Sequence, residues 1–176
     1  MTTVSVIVGS TRDSRFSSAP ANWIKHHLEQ REGLDVRLLD LRDFDLPFFD
    51  SAMLPGFPGR PAYENEHVRR WTEQIATSDA FVVATAEYNF GPPAVLKNAL
   101  DWVYPEWNRK PVSFVSWGAL AGLVPCSNCA KSRPSFRWQR SARRCISRLA
   151  QSTPISRARP MKSRRHYRHR TIRQVA

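Results

Sequence analysis

Two short runs carry side chains and backbone suited to gripping a ligand with an anionic end. The first, Gly9-Ser10-Thr11-Arg12-Asp13-Ser14-Arg15-Phe16, follows an apolar run and precedes a helical pattern. Backbone N–H groups at a helix N-terminus lack intrahelical partners and carry partial positive charge, which suits a phosphate. Gly9 permits a tight turn, Ser10 offers a hydroxyl, and Arg12 and Arg15 offer charged forks for phosphate oxygens. An ordinary strand-to-helix loop with two solvated arginines fits the same residues. Neither a GxGxxG fingerprint nor a Walker GK[ST] is present, so a Rossmann dinucleotide site and a P-loop ATPase are not indicated. The second run extends from Ala86-Glu87-Tyr88-Asn89-Phe90-Gly91-Pro92-Pro93 through Leu96-Lys97-Asn98-Ala99-Leu100-Asp101-Trp102. It comes directly after an apolar stretch and reads as a loop leaving a buried strand and turning into a helix. Ligands of open α/β sheets sit at such carboxyl ends of strands.

The elements that must position these runs are legible from hydrophobic pattern. Residues 4–8, 36–41, 80–85 and 112–116 are short, mainly apolar runs without strict alternation, as expected of parallel strands covered on both faces. After Ser17 and Ser18, candidate N-caps, Pro20 falls in a first helical turn. Trp23, Ile24 and Leu28 supply its inward stripe, and Gly33 is its stop. Val68, Trp71 and Ile75 recur at helical steps within a second helix expected from about Tyr63 to Thr77. A third helix starts at Pro92-Pro93 and turns Val95, Leu96, Ala99, Leu100 and Trp102 toward the sheet. Alternation of strand and helix with right-handed crossovers predicts an α/β fold with helices on both faces of a parallel sheet. Residues 42–60, rich in Pro, Phe and Gly, form a long loop that either borders a substrate pocket or is a structural excursion. His26, His27 and His67 are expected to be solvated, and Lys97, Asn98 and Asp101 to be structural or interfacial.

The two runs, in this order and strand context, resemble the NAD(P)H-dependent FMN reductases of the flavodoxin-like class. Members pair a GSxR-type loop with a P-E-Y-N-x-x-x-P-x-x-L-K-N-A-L-D-W segment; here Ala86 stands where many have Pro. The resemblance covers roughly residues 3–118 and implies a flavodoxin-like three-layer sandwich with strand order 2-1-3-4-5. It further implies that Ser10, Arg12 and Arg15, in a loop ending at Phe16, bind the phosphate of FMN. Glu87, Tyr88, Asn89, Phe90 and Gly91 would line the isoalloxazine, largely through backbone amides. A third family loop, usually S-Y-G-G-like, touches the flavin edge; Ser116-Trp117-Gly118 begins it here, and the sequence then departs. Tyr88, Phe90 and Trp117 would supply aromatic neighbours for the ring, although core packing under the third helix is the alternative for Tyr88 and Phe90. Hydride transfer from NADPH or NADH to flavin N5 depends on stacking and orientation more than on a protein acid or base. No catalytic side chain and no metal ligand is therefore assigned. The implied acceptor is free flavin, a quinone or another small molecule, and relatives of this kind are expected to be homo-oligomers.

Charge divides the chain. Of 27 Lys+Arg and 15 Asp+Glu, residues 120–176 hold 15 of the bases and none of the acids, a net of +15. The remaining 12 bases and 15 acids give residues 1–119 a net of −3, and the two parts make the overall +12. From Ala119 onward the periodicity fails, and the fifth strand and further helices that the fold needs are not recognisable. The expectation is an incomplete flavodoxin-like domain over residues 1–118, followed by a disordered basic tail over 119–176. An out-of-frame translation of a GC-rich gene would produce such a composition. Losing a strand and its helices would leave the domain weakly folded. Cys126-x-x-Cys129 with Cys145, His166 and His169 could be stretched into a zinc site, but Cys145 lacks a nearby partner and the regular spacing of two close pairs is missing. The tail's arginines imply non-specific binding to nucleic acid. A non-catalytic flavin-binding remnant or a nucleic-acid-binding protein is the alternative to an enzyme. Neither a secretory signal nor a stretch of ~20 apolar residues is present, which reads as a cytoplasmic protein.

Overall fold

The computed structural model describes residues 1–118. The elements, in chain order, are β1 (Thr2–Val8), α1 (Ser18–Glu29), β2 (Leu34–Asp40), α2 (Glu66–Ala76), β3 (Ala80–Ala86), α3 (Ala94–Asp101) and β4 (Val112–Trp117). Short 3-10 turns at Leu41–Asp43 and Pro105–Trp107 follow β2 and α3. The strands form one parallel sheet in the order β2-β1-β3-β4. This is the flavodoxin-like arrangement that the sequence predicts over these residues. Readings made for residues 119–176 lie outside the described residues.

Successive residues on the strands serve opposite faces, as a pleat requires. Ile7, paired with Leu39 and Val83, joins a core shared with Val68, Trp71 and Ile75 of α2 and Leu96, Ala99 and Leu100 of α3. Its neighbours Val6 and Val8 face the other way, onto Ala21 and Ile24 of α1. Both faces of the central strands are therefore covered, which is why β1 and β3 are mainly apolar in sequence, whereas the edge strand β2 admits Asp35, Arg37 and Asp40.

Several local expectations differ from the structure. The inward stripe of α1 is Ala21, Ile24 and Leu28, whereas Trp23 is 49% exposed and stacks on His27 with centroids 4.1 Å apart. Trp23 lies about 100° round the helix from Ile24, so its size does not bring it inward. α1 ends at Glu29, capped by Gln30; Gly33, at φ +80°, instead makes the turn into β2, its carbonyl accepting from Thr2 N at 2.9 Å. α2 begins only after Asn65, whose side chain accepts from Val68 N, so Tyr63 precedes the helix. Val95, on the first turn of α3, lines a surface cleft rather than packing on the sheet.

The long loop after β2 is pinned by the helix that follows β3. Asn98 Oδ1 accepts from Phe49 N at 2.9 Å, and its Nδ2 donates to the Pro47 carbonyl at 2.8 Å. Trp102 Nε1 donates to the same carbonyl, and the rings of Phe49 and Tyr63 meet Trp102 edge-on. Farther along, Arg60 lies over the Tyr63 ring and pairs with Glu106 at 2.9 Å. Lys97 pairs with Asp101 on the solvent side of α3. These three polar residues of α3 thus have structural roles, as expected.

Candidate functional site

The β1 and β3 exits lie side by side because β1 and β3 are neighbours in the sheet. Gly9 N donates to the Ala84 carbonyl at 2.8 Å, and a Cβ on Gly9 would stand 3.0 Å from Leu96 Cδ2 and 3.1 Å from that carbonyl oxygen. The absence of a side chain is what lets the first loop lie so close to β3. Ser10 follows it, fully buried, and its hydroxyl meets the Tyr88 hydroxyl at 2.9 Å.

Arg12 and Arg15, paired in the sequence reading, stand in different settings. Arg15 sits 9% exposed and forms a bidentate ion pair with Asp40 at the end of β2. It also donates to the Ser10 carbonyl at 2.7 Å and to Ser18 Oγ at 3.0 Å. The guanidinium is largely consumed in holding the loop, which limits what it can offer an anion. Arg12 is exposed, donates to Ser14 Oγ at 3.0 Å and approaches the Tyr88 hydroxyl at 3.4 Å. Arg42 ties the same loop from outside, through the Thr11 carbonyl and Asp13.

Ser17 is the residue whose role sequence reasoning missed. It stands at the N-cap position of α1, as the sequence predicts, but its backbone is αR and its side chain makes no cap bond. Its hydroxyl is buried and has no partner among the described residues. A buried polar atom without a partner is costly and rare, so such an atom beside the N-terminus of a twelve-residue helix marks a place for an acceptor. The signal in the sequence was only a further serine, seven positions after Ser10 and beyond Ser14.

The second loop turns within four residues. Tyr88 and Gly91 exchange backbone hydrogen bonds of 2.9 and 3.0 Å, and Asn89 and Phe90 between them have φ of +50° and +63°. Two central residues at positive φ give the pattern of a type I′ turn, usual for Asn and unfavourable for Phe. Tyr88 is 37% and Phe90 67% exposed, so neither is core. The Tyr88 phenol is held below the ordinary tyrosine range, chiefly by its bond to Ser10 and further by Arg12, against an opposing effect of burial.

The start of the third loop reaches the same edge. Glu87 N donates to the Trp117 carbonyl at 2.9 Å, and the Trp117 ring meets Phe16 edge-on at 5.6 Å. A Cβ on Gly118 would collide with the Glu87 side chain. Glu87 Oε2 is buried and without a partner among the described residues. The predicted residues from the β1, β3 and β4 exits therefore converge on one end of the sheet. His26, His27 and His67 are exposed and away from these loops, and no group of His, Cys, Asp or Glu among the described residues is placed to hold a metal.

A parallel sheet ordered 2-1-3-4, with an anion-suited loop and an aromatic turn at its β1/β3 switch point, defines a flavodoxin-like protein of the mononucleotide-binding type. Comparison narrows the class: the family of NADPH-dependent FMN reductases matches residues 2–132, and this chain belongs to it. An NAD(P)H-dependent FMN reductase of Schizosaccharomyces pombe is 41% identical over 117 residues, covering 66% of this chain and 58% of the relative. That of Saccharomyces cerevisiae is 33% identical over 127 residues, covering 68% and 66%. The chain thus spans about three fifths to two thirds of the length of these relatives. Among solved structures, the flavoenzyme NAD(P)H:(acceptor) oxidoreductase of Paracoccus denitrificans superposes with a TM-score of 0.57 at 25% identity, covering 80% of this chain and 81% of that one. The azoreductase AzrA, at 16% identity and a TM-score of 0.59, shares the fold.

Proposed function

We propose that this chain binds FMN and uses it to pass reducing equivalents from NADPH or NADH to a small acceptor such as free flavin or a quinone. The observation that carries the reading is the Ser17 hydroxyl, buried at the end of the β1 loop beside the start of α1 and without a partner among the described residues. It fits a phosphomonoester, which accepts several hydrogen bonds at once. Ser10, Ser17 and Arg12 would hold the phosphate, with Arg15 fixing the loop through Asp40. Glu87, Tyr88, Asn89, Phe90 and Gly91 would carry the ring's polar edge, and Phe16, Trp117 and Gly118 would border it. Bound FMN supplies the hydride-accepting chemistry, and the protein supplies orientation and shielding. The family named for the relatives supports the same activity.

The chain is further proposed to act in the cytoplasm and as a homo-oligomer. No helix among the described residues is long and apolar enough to cross a membrane. Phe48, Leu54 and Phe57 in the loop after β2 are 81%, 68% and 58% exposed, which favours a contact with another copy. The test is NADPH and NADH oxidation by the purified chain with FMN and a quinone. Turnover that requires FMN supports the proposal, and FMN-independent or absent turnover sinks it.

A further inference from the structure

The Tyr88 hydroxyl lies against the two groups of the β1 loop best placed to receive an anion. It meets the Ser10 hydroxyl at 2.9 Å, and Arg12 Nε approaches it at 3.4 Å. Ser10 is fully buried, so its hydroxyl cannot rotate out to find water. Tyr88 is not so confined: its side chain is more than a third exposed and belongs to neither hydrophobic cluster. It also begins the tight turn through Asn89 and Phe90, whose positive φ values mark a backbone held by local contacts. Withdrawing the phenol would therefore uncover Ser10 and release Nε of the exposed Arg12 without opening the core.

We infer that Tyr88 is a placeholder: its hydroxyl occupies Ser10 and Arg12 while no anion is bound, and a phosphomonoester must displace it. This rests on the mononucleotide reading above. A phosphate dianion offers Ser10 and Arg12 charge-assisted bonds in place of a hydroxyl–hydroxyl bond and a long 3.4 Å contact from Arg12 to the neutral phenol, so the exchange runs toward the ligand. Part of the binding free energy is nevertheless consumed in breaking the Tyr88–Ser10 bond. The Tyr88 hydroxyl thereby acts on the phosphate end alone, while the backbone and ring of the residue, which Tyr88→Phe keeps, serve the flavin.

The test compares wild type, Tyr88→Phe and Ser10→Ala by fluorescence titration with FMN and with riboflavin, which lacks the phosphate. Removing the phenolic oxygen is expected to tighten FMN about threefold to tenfold, the worth of one ordinary hydrogen bond, and to leave riboflavin unchanged. Weaker FMN binding by Tyr88→Phe would make the hydroxyl a phosphate ligand, and unchanged binding would deny any competition; either overturns the inference. A second readout needs no flavin: inorganic phosphate added to wild type should raise the alkaline titration of Tyr88, followed by phenolate absorbance. Ser10→Ala should raise it without phosphate. If neither FMN nor riboflavin binds wild type, the mononucleotide reading fails, and the phosphate titration alone decides: no shift of Tyr88 rejects the placeholder.

Discussion

Ser17 and the tyrosines offer the sharpest tests at the scale of single residues. Ser17→Ala removes a buried hydroxyl that has no partner among the described residues, so thermal stability without ligand should stay the same or rise slightly. FMN affinity should fall about tenfold to a hundredfold, as expected for one hydrogen bond to a charged group. A loss of stability with unchanged FMN binding would make Ser17 purely structural. Alkaline titration provides a second check. Tyr88 should ionise before an ordinary tyrosine, because Ser10 and Arg12 favour its phenolate. Tyr63 should ionise late, chiefly because burial disfavours its charged form, with Glu106 adding to this and Arg60 opposing it. Since Tyr63's folded value is raised, its contribution to stability is intact below pH 10.0 and is lost as pH climbs through that raised value. Tyr63→Phe should therefore flatten the alkaline fall in stability, measured by urea unfolding across that range.

Among the elements, the long loop after β2 and the β1 loop are both held from a distance. Asn98→Ala removes both bonds to the loop backbone at Pro47 and Phe49 and should destabilise the fold by about 1–3 kcal/mol in denaturant unfolding. Asp40→Asn should loosen the β1 loop by weakening its pair with Arg15, lowering FMN affinity although Asp40 is assigned no ligand contact. A wild-type affinity in that variant would free Arg15 from its assigned positioning role. β1 and β3 were legible because burial on both faces leaves mainly apolar runs, and α2 because Val68, Trp71 and Ile75 keep a helical step. Trp23 and Val95 were misplaced because hydrophobicity does not say which side of a helix meets the sheet. Arg15 and Asp40 are 25 residues apart, so their pairing depends on where β2 lies beside β1. The same is true of Tyr88 and Ser10, 78 residues apart, whose contact only the parallel order of β1 and β3 creates. Composition could propose an anion loop, but only packing could show which hydroxyl lacks a partner.

For the whole molecule, the division of charge separates two kinds of binding. Residues 1–119 are mildly acidic, whereas residues 120–176 carry every excess positive charge. Any affinity for RNA should therefore be insensitive to sequence and fall steeply with salt, as release of counterions dictates. FMN binding, centred on partly buried groups, should be much less salt-dependent. Filter binding to unrelated RNAs at rising salt checks this; sequence-selective retention at high salt would point to an evolved nucleic-acid role.

The central claim is that the exits of β1 and β3 grip one mononucleotide, its phosphate at the first and its flavin ring at the second. Equilibrium fluorescence titration of the full chain with FMN and riboflavin tests it most directly. Saturable quenching at one FMN per chain and markedly weaker binding of riboflavin are expected. Equal affinity for the two, or no saturable binding of either, would contradict it.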